Sequence, residues 1–276
     1  MGKLLFFDID GTLVGYGSSM PDSAVRALEE AKRKGHRLFI CTGRSRNQIY
    51  GQILDFGFDG LVAATGGYVE YRGKILRHIT FGEERMKIIL DLLDGTGTGL
   101  IIQKRDYCVA SSSFEKAFLR EFAPTVKAEH LNEIEGLEAV RIDEDVSSYP
   151  VRHADTDSFI YCSSPYDTDE LRERFGHGIH VETASYKEPE PYSGELTLDE
   201  NSKAVGIQTI LDYLGMERED VIAFGDGAND IEMLDFAGFS VVMGNATDRV
   251  KTHADYVTSS LEEDGIYRAM KHLELI

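Results

Sequence analysis

Apolar residues along this chain follow two rhythms. One is the short unbroken run: Leu4-Leu5-Phe6-Phe7, Leu38-Phe39-Ile40-Cys41, Leu61-Val62-Ala63-Ala64, Val221-Ile222-Ala223-Phe224 and residues 240–243. A run of about four apolar residues between turn residues reads as a strand buried on both faces, the mark of a parallel sheet. The other rhythm is helical. Ala24, Val25, Leu28 and Ala31 recur at that spacing, as do Val205, Ile207, Ile210, Leu211 and Leu214, and then Ile231, Met233, Leu234 and Ala237. Gly35, Gly215 and Gly238 stop these three helices. Pro21 suits the first helical position behind a serine cap at Ser19. A further helix is expected over 45–54, a hairpin over 68–71 and 75–79 turning at Gly73-Lys74, an edge strand over 255–258, and a last helix from Gly265 toward His272. Strand and helix alternate, so the pattern predicts an α/β fold: a doubly wound, mainly parallel sheet with right-handed crossovers.

The middle of the chain changes character. Met86, Ile89, Leu90 and Leu93 mark an amphipathic helix. Residues 100–103 and 107–111 read as a strand pair, 114–122 as a helix, 138–142 and 158–162 as strands, 171–175 as the end of a helix and 179–183 as a strand. No catalytic residue types cluster here. The segment reads as an inserted α+β domain over 83–187, which splits a core made of 1–82 and 188–276. The acidic stretches Asp143-Glu144-Asp145 and Asp155-Thr156-Asp157 match no EF-hand spacing and read as solvated loops.

Each core strand ends in polar residues. Asp8, Asp10 and Gly11 follow the first; Thr42-Gly43-Arg44 the second; Gly225-Asp226-Gly227-Ala228-Asn229-Asp230 and Gly244-Asn245-Ala246 the later two; and Lys203 opens a helix. Ligands of open α/β sheets lie beyond the carboxyl ends of the strands, so parallel strands would turn all four ends to one crevice. Taken singly, each piece has a plainer reading: a solvated Asp-Gly turn, an Asx turn, a surface lysine. Together they suggest phosphoryl transfer. Thr42 offers a hydroxyl and Gly43 an open backbone N–H. Arg44, Asn229 and Lys203 complete a phosphate and substrate site, the lysine at a helix N-terminus that itself favours an anion. Magnesium, a hard cation, suits the oxygen set of Asp8, Asp226 and Asp10, the last through a nearby backbone carbonyl, with Asp230 in support. With the repulsion between anions removed, Asp8 can attack phosphorus and form an aspartyl-phosphate, while Asp10 protonates the leaving oxygen and later activates water.

At these residues the sequence resembles the haloacid dehalogenase superfamily of aspartate-nucleophile phosphatases. Asp8-Ile9-Asp10-Gly11-Thr12 is similar to its DxDGT signature, Cys41-Thr42-Gly43-Arg44 to its second motif, Lys203 to its third and the Gly225–Asp230 stretch to its fourth. The TGR and GDGxND forms, with Met243-Gly244-Asn245-Ala246, resemble the Cof-type subfamily. The likeness covers 1–82 and 188–276; the middle matches only in position and size, as that subfamily's α/β cap. It implies magnesium, hydrolysis of phosphate monoesters and a mobile cap that closes on the substrate. The chain departs from the family twice. Thr65-Gly66-Gly67 stands where Asn-Gly is frequent, and Lys203-Ala204 where Lys-Gly is frequent. The acid at Asp10 points to the phosphatase and phosphomutase branches.

A net charge of −19 argues against nucleic acid or an anionic membrane as partner. It also requires that an anionic substrate be held by local positive charge. No apolar run approaches the roughly 20 residues of a membrane span, and the apolar start meets carboxylates at once, so no signal peptide is expected. Cys41, Cys108 and Cys162 stand apart and form no CxxC, which suggests a reducing, cytoplasmic setting. The expectation is a magnesium-dependent phosphatase of small phosphorylated metabolites, such as sugar phosphates, acting as a monomer or weak dimer. Two alternatives stay open: a phosphomutase of the same capped layout, and a catalytically silent phosphometabolite-binding protein. Substrate choice is expected in the cap, with Tyr186 and Lys187 as candidates near its end.

Overall fold

The computed structural model describes residues 2–15, 19–114, 116–117, 140–143, 153–183 and 191–276. The chain divides into two compact units. The first comprises Met1–Arg44, Ile49–His78 and Ser202–Ile276, the second Ser45–Gln48 and Ile79–Asn201.

Strands are numbered along the chain. The first unit contains β1 (Leu4–Phe7), β2 (Arg37–Cys41), β3 (Gly60–Ala63), β4 (Tyr68–Tyr71) and β5 (Lys74–His78). After the second unit come β12 (Val221–Gly225), β13 (Phe239–Val242) and β14 (Tyr256–Val257). They form one sheet in the order β14-β13-β12-β1-β2-β3-β4-β5. All neighbours from β14 to β3 are parallel, and the pairs β3–β4 and β4–β5 are antiparallel. The chain winds outward from β1 through β2 and β3, then restarts at β12 on the other side of β1. Strand order therefore reverses between β1 and β12, the place where such sheets bind ligands.

Alternation along β1 explains its unbroken apolar run. Leu5 and Phe7 join a core with the helix Asp22–Arg33 and the C-terminal helix Gly265–His272. Leu4 and Phe6 join a second core with Lys203–Leu214 and Ile231–Phe236. With helices on both faces, no position along the strand faces water.

Three local expectations are corrected. Ser19 caps nothing: Pro21 itself is the N-cap, in an extended conformation, and helix begins at Asp22. The helix expected over 45–54 is instead a 3-10 turn, Arg46–Gln48, and a short helix, Gly51–Asp55. Ser45 donates its hydroxyl to Asn47 Oδ1 at 2.5 Å and its amide to Gln48 Oε1 at 3.1 Å, which caps the short turn. The extended Tyr50 and left-handed Gly51 break the run after it. The hairpin turns one residue early, at Arg72 and Gly73, both left-handed, which suits the twist of the strands they join.

The second unit is α+β. Its strands are β6 (Gly99–Lys104), β7 (Cys108–Ser111), β8 (Val140–Asp143), β9 (Thr156–Cys162), β10 (His180–Thr183) and β11 (Gly194–Thr197), in the order β10-β11-β9-β6-β7-β8. Only β7 and β8 pair in parallel. The helices Gly82–Leu93 and Thr168–Phe175 pack on one face with Phe159 and Tyr161. Residues 191–201 sit with this unit, beyond the boundary at 188 read from sequence, because β11 pairs between β10 and β9. Asp155-Thr156-Asp157 is not the solvated loop expected, since Thr156 and Asp157 open β9 and are fully buried. Most of the helix expected over 114–122, much of the Asp143-Glu144-Asp145 loop, and Tyr186 and Lys187 lie outside the described residues.

Candidate active site

Asp8 follows the last residue of β1 and donates its backbone N–H to Phe224 O of β12 at 3.0 Å. It stands at the point where strand order reverses. The chain then folds back on itself: Leu13 and Val14 both donate to Ile9 O at 2.9 Å, and Gly11 to Val14 O at 2.8 Å. Gly11 has φ +85°, and a Cβ there would lie 2.1 Å from Asp226 Oδ2, so only glycine fits.

Lys203 reaches this strand end from the first turn of its helix. Its Nζ lies 2.6 Å from Asp8 Oδ1 and 2.5 Å from Asp230 Oδ1. The three residues are nearly sealed from water, with relative exposures of 4% for Asp8, 1% for Lys203 and 0% for Asp230. The second oxygen of Asp230 accepts the backbone N–H groups of Asp226 and Gly227, each at 2.9 Å. Asp230 thus ties the lysine to the turn that carries Asp226.

Asp226 is held from both sides. Thr12 Oγ1 donates to its Oδ1 at 2.8 Å, and Asn245 Nδ2 to its Oδ2 at 3.1 Å. Asn245 also donates to Gly11 O at 3.0 Å and accepts from Leu261 N at 3.1 Å. Thr12 and Asn245 were not among the site residues expected from the sequence, although both lie within motifs at strand ends.

One oxygen from each of Asp8, Asp226 and Asp230 lies within 4.8 Å of the others. Three carboxylates share one buried cation, and electrostatics reflects the deficit. Burial and Asp230 raise Asp8 well above the usual carboxylate range despite Lys203. Burial and Asp230 push Asp226 up to about 6, against the hydrogen bond from Thr12. Burial opposes the charge on Lys203, but Asp230 and Asp8 outweigh it and hold the ammonium protonated. This all-oxygen, charge-deficient set fits a hard divalent cation. Asp230 accepts three hydrogen bonds, two of them on one oxygen, whereas each Asp226 oxygen accepts one and Asp8 accepts one from Lys203. Asp8 and Asp226 therefore keep more lone-pair capacity to offer a metal. The side chain of Asp10 is not in the cluster. Arg44 grips it in a fork, Nε to Oδ2 at 2.8 Å and Nη2 to Oδ1 at 2.6 Å.

Of the other expected residues, Thr42 is buried at the end of β2, and its hydroxyl accepts Arg44 N at 3.1 Å. Gly43 is half-buried beside it. Asn229 is half-buried in the Asp226 turn, and its side chain hydrogen-bonds to none of these groups. Cys41, under Lys203, has its thiol pushed up by burial and supplies no thiolate.

A metal at this cluster competes with protons. Asp226, raised to about 6 in the metal-free fold, loses a stabilising proton as pH rises through that value, and Asp8 is shifted in the same direction. Magnesium is therefore expected to raise the melting temperature little below pH 6 and increasingly above it. Thermal unfolding with and without magnesium across that range is the measurement; a magnesium effect independent of pH would reject the site.

The family described as haloacid dehalogenase-like hydrolase matches residues 5–270. The 5-amino-6-(5-phospho-D-ribitylamino)uracil phosphatase YitU of Bacillus subtilis is 28% identical over 279 residues, 97% of this chain and 96% of the relative. A solved structure from Geobacillus kaustophilus superposes with TM-score 0.83 at 27% identity, covering 100% of both chains. The structure of a subclass IIB sugar phosphatase superposes with TM-score 0.77 at 27% identity, covering 99% of this chain and 100% of that one. Among the described residues no helix is long and apolar enough to cross a membrane.

Proposed function

Since the chain belongs to the haloacid dehalogenase-like hydrolases and is a phosphatase of that family, we propose that it hydrolyses phosphate monoesters of small metabolites, sugar phosphates among them, with magnesium as cofactor. The observation that carries the reading is the group of buried Asp8, Asp230 and Lys203 with half-buried Asp226 where the strand order reverses. Asp8, Asp226 and the backbone at Asp10 would hold magnesium, which when bound neutralises carboxylate charge and polarises the phosphoryl group.

The chain's own groups supply the rest. An Asp8 carboxylate oxygen attacks phosphorus, and the ester oxygen leaves with a proton from Asp10. Water, deprotonated by Asp10, then attacks the phosphorus of the aspartyl-phosphate; inorganic phosphate departs and the Asp8 carboxylate is restored. Lys203, the Thr42 hydroxyl and the Gly43 N–H hold the phosphoryl oxygens. Arg44 occupies both Asp10 oxygens through its fork, so Asp10 takes up its acid–base role when that fork opens toward the substrate. The sugar phosphatase and the phosphoribitylamino-uracil phosphatase among its relatives support a phosphorylated polyol or sugar as substrate. Choice among esters is attributed to the inserted unit, as the family layout implies.

A panel of phosphorylated metabolites assayed with magnesium for inorganic phosphate tests the reading. Release from sugar phosphates supports it. An isomeric ester formed only with a bisphosphate activator would make the protein a phosphomutase, and binding without turnover would make it a silent sensor. Asp10→Asn is expected to slow both half-reactions by about a hundredfold or more, while magnesium still raises the melting temperature. An unchanged rate would remove Asp10 from acid–base chemistry.

A further inference from the structure

We propose that Gly66 and Gly206 are positioning residues for Lys203: a left-handed turn forms the seat for the first turn of the lysine's helix, and bare backbone at these two positions sets how far the ammonium reaches toward Asp8 and Asp230. The proposal rests on the reading that Lys203 serves phosphoryl transfer.

Three consecutive residues after β3 are left-handed: Ala64 at φ 47°, Thr65 at φ 51° and Gly66 at φ 88°. Alanine rarely adopts this region, and a β-branched threonine less often still. Strain of this kind persists only where the surroundings enforce it. Here the surroundings are the anion loop on one side. Ala64 N donates to Arg44 O at 2.8 Å and Thr65 N to Thr42 O at 3.3 Å. Arg77 Nε fixes the turn from outside, donating to Gly66 O at 3.1 Å.

On its other side the turn meets the helix backbone to backbone. A Cβ on Gly66 would lie 2.0 Å from Ser202 O and 3.3 Å from Gly206 N. A Cβ on Gly206 would lie 2.3 Å from Val62 Cγ1 and 3.2 Å from Gly66 Cα. Ser202 is the N-cap, its Oγ accepting Val205 N at 3.2 Å, and its carbonyl accepts Gly206 N at 3.0 Å. The next residue is Lys203. Backbone atoms cannot swing aside, so a side chain at Gly66 displaces Ser202 and with it Lys203. The ammonium already sits at 2.6 and 2.5 Å from its two carboxylates, and a small displacement of a reacting group costs much in rate. One turn thus ties the 42–44 loop to the helix of Lys203.

The test uses the full chain with magnesium and p-nitrophenyl phosphate, together with NMR of the lysine ammonium groups. Gly66→Ala is expected to lower kcat/KM by about tenfold or more, and to lower it no further in a Lys203→Ala background, since the displacement acts through the lysine. The Lys203 ammonium resonance, identified by its loss in Lys203→Ala, is expected to shift or vanish in Gly66→Ala while the other lysines stay. Gly206→Ala is expected to behave alike and to be rescued by Val62→Ala, a pair that carries the test if Gly66→Ala does not fold. An unmoved resonance, or a loss of rate that persists without Lys203, overturns the proposal. A wild type that cleaves no phosphate ester overturns the phosphatase reading instead, and the resonance still decides whether Gly66 positions the lysine.

Discussion

Asp8→Asn is expected to abolish phosphate release, on the order of a thousandfold or more, while the metal-free protein stays at least as stable as wild type at mildly alkaline pH. An amide in the same shape has no carboxylate oxygen to form the acyl-phosphate, so the first half-reaction stops. The stability half of the expectation follows from charge. In the folded state burial and Asp230 raise the Asp8 pKa above its unfolded value. A carboxylate shifted in that direction contributes less stability as pH rises through its folded pKa, because the fold then holds a charge it disfavours. Asparagine removes that charge and leaves Lys203 still bonded to Asp230. The two readouts separate chemistry from folding: lost turnover with an intact melting curve identifies the nucleophile, and retained phosphate release would remove Asp8 from that role.

The residues in that argument differ in how far the sequence announced them. Asp8, Thr42, Asp226 and Lys203 were legible because each motif is short and contiguous, and one rule of parallel sheets sends all strand ends to one side. Their partners were not. That Lys203 bonds Asp8 and Asp230 together, or that Thr12 and Asn245 grip the two oxygens of Asp226, depends on contacts between residues up to 214 apart. Spacing along a chain carries no information about which oxygen a distant donor will face. Asp10 shows the same gap: its position after β1 is plain, but its carboxylate pairs with Arg44 and is not part of the Asp8, Asp226 and Asp230 cluster. Among the elements, β1, β2, β3 and β12 were legible from four-residue apolar runs because both faces are buried. The strand β11 was missed because its Gly-Glu-Leu-Thr sequence has one apolar residue, and its neighbours β9 and β10 define it more than its own pattern does. The helix expected over 45–54 failed at Tyr50 and Gly51, where an extended and then a left-handed residue interrupt it.

Lys203→Ala is expected to be the most destabilising change in the core of the site, because it removes the one cation among three carboxylates that lie within 4.8 Å of each other. Breaking a buried ion pair by deleting one partner costs about 3–5 kcal/mol. In a chain of this size that lowers the melting temperature by roughly 2–4 °C per kcal/mol. The loss has a signature that cavity formation lacks. Without the ammonium, Asp8 and Asp226, already shifted upward, are disfavoured further as anions, so acid is expected to restore stability and rising pH to remove it. Magnesium is expected to stabilise this variant more than wild type, because the variant offers the cation a more negative site. Lys203→Met, which keeps much of the stem, should show the same dependence on pH and magnesium with less lost packing. Urea unfolding across pH, with and without magnesium, reads all three effects. A uniform loss of stability at every pH, indifferent to magnesium, would mean that the lysine serves the fold through its stem, and that the charge balance argued for Asp8, Asp226 and Asp230 does not govern the site.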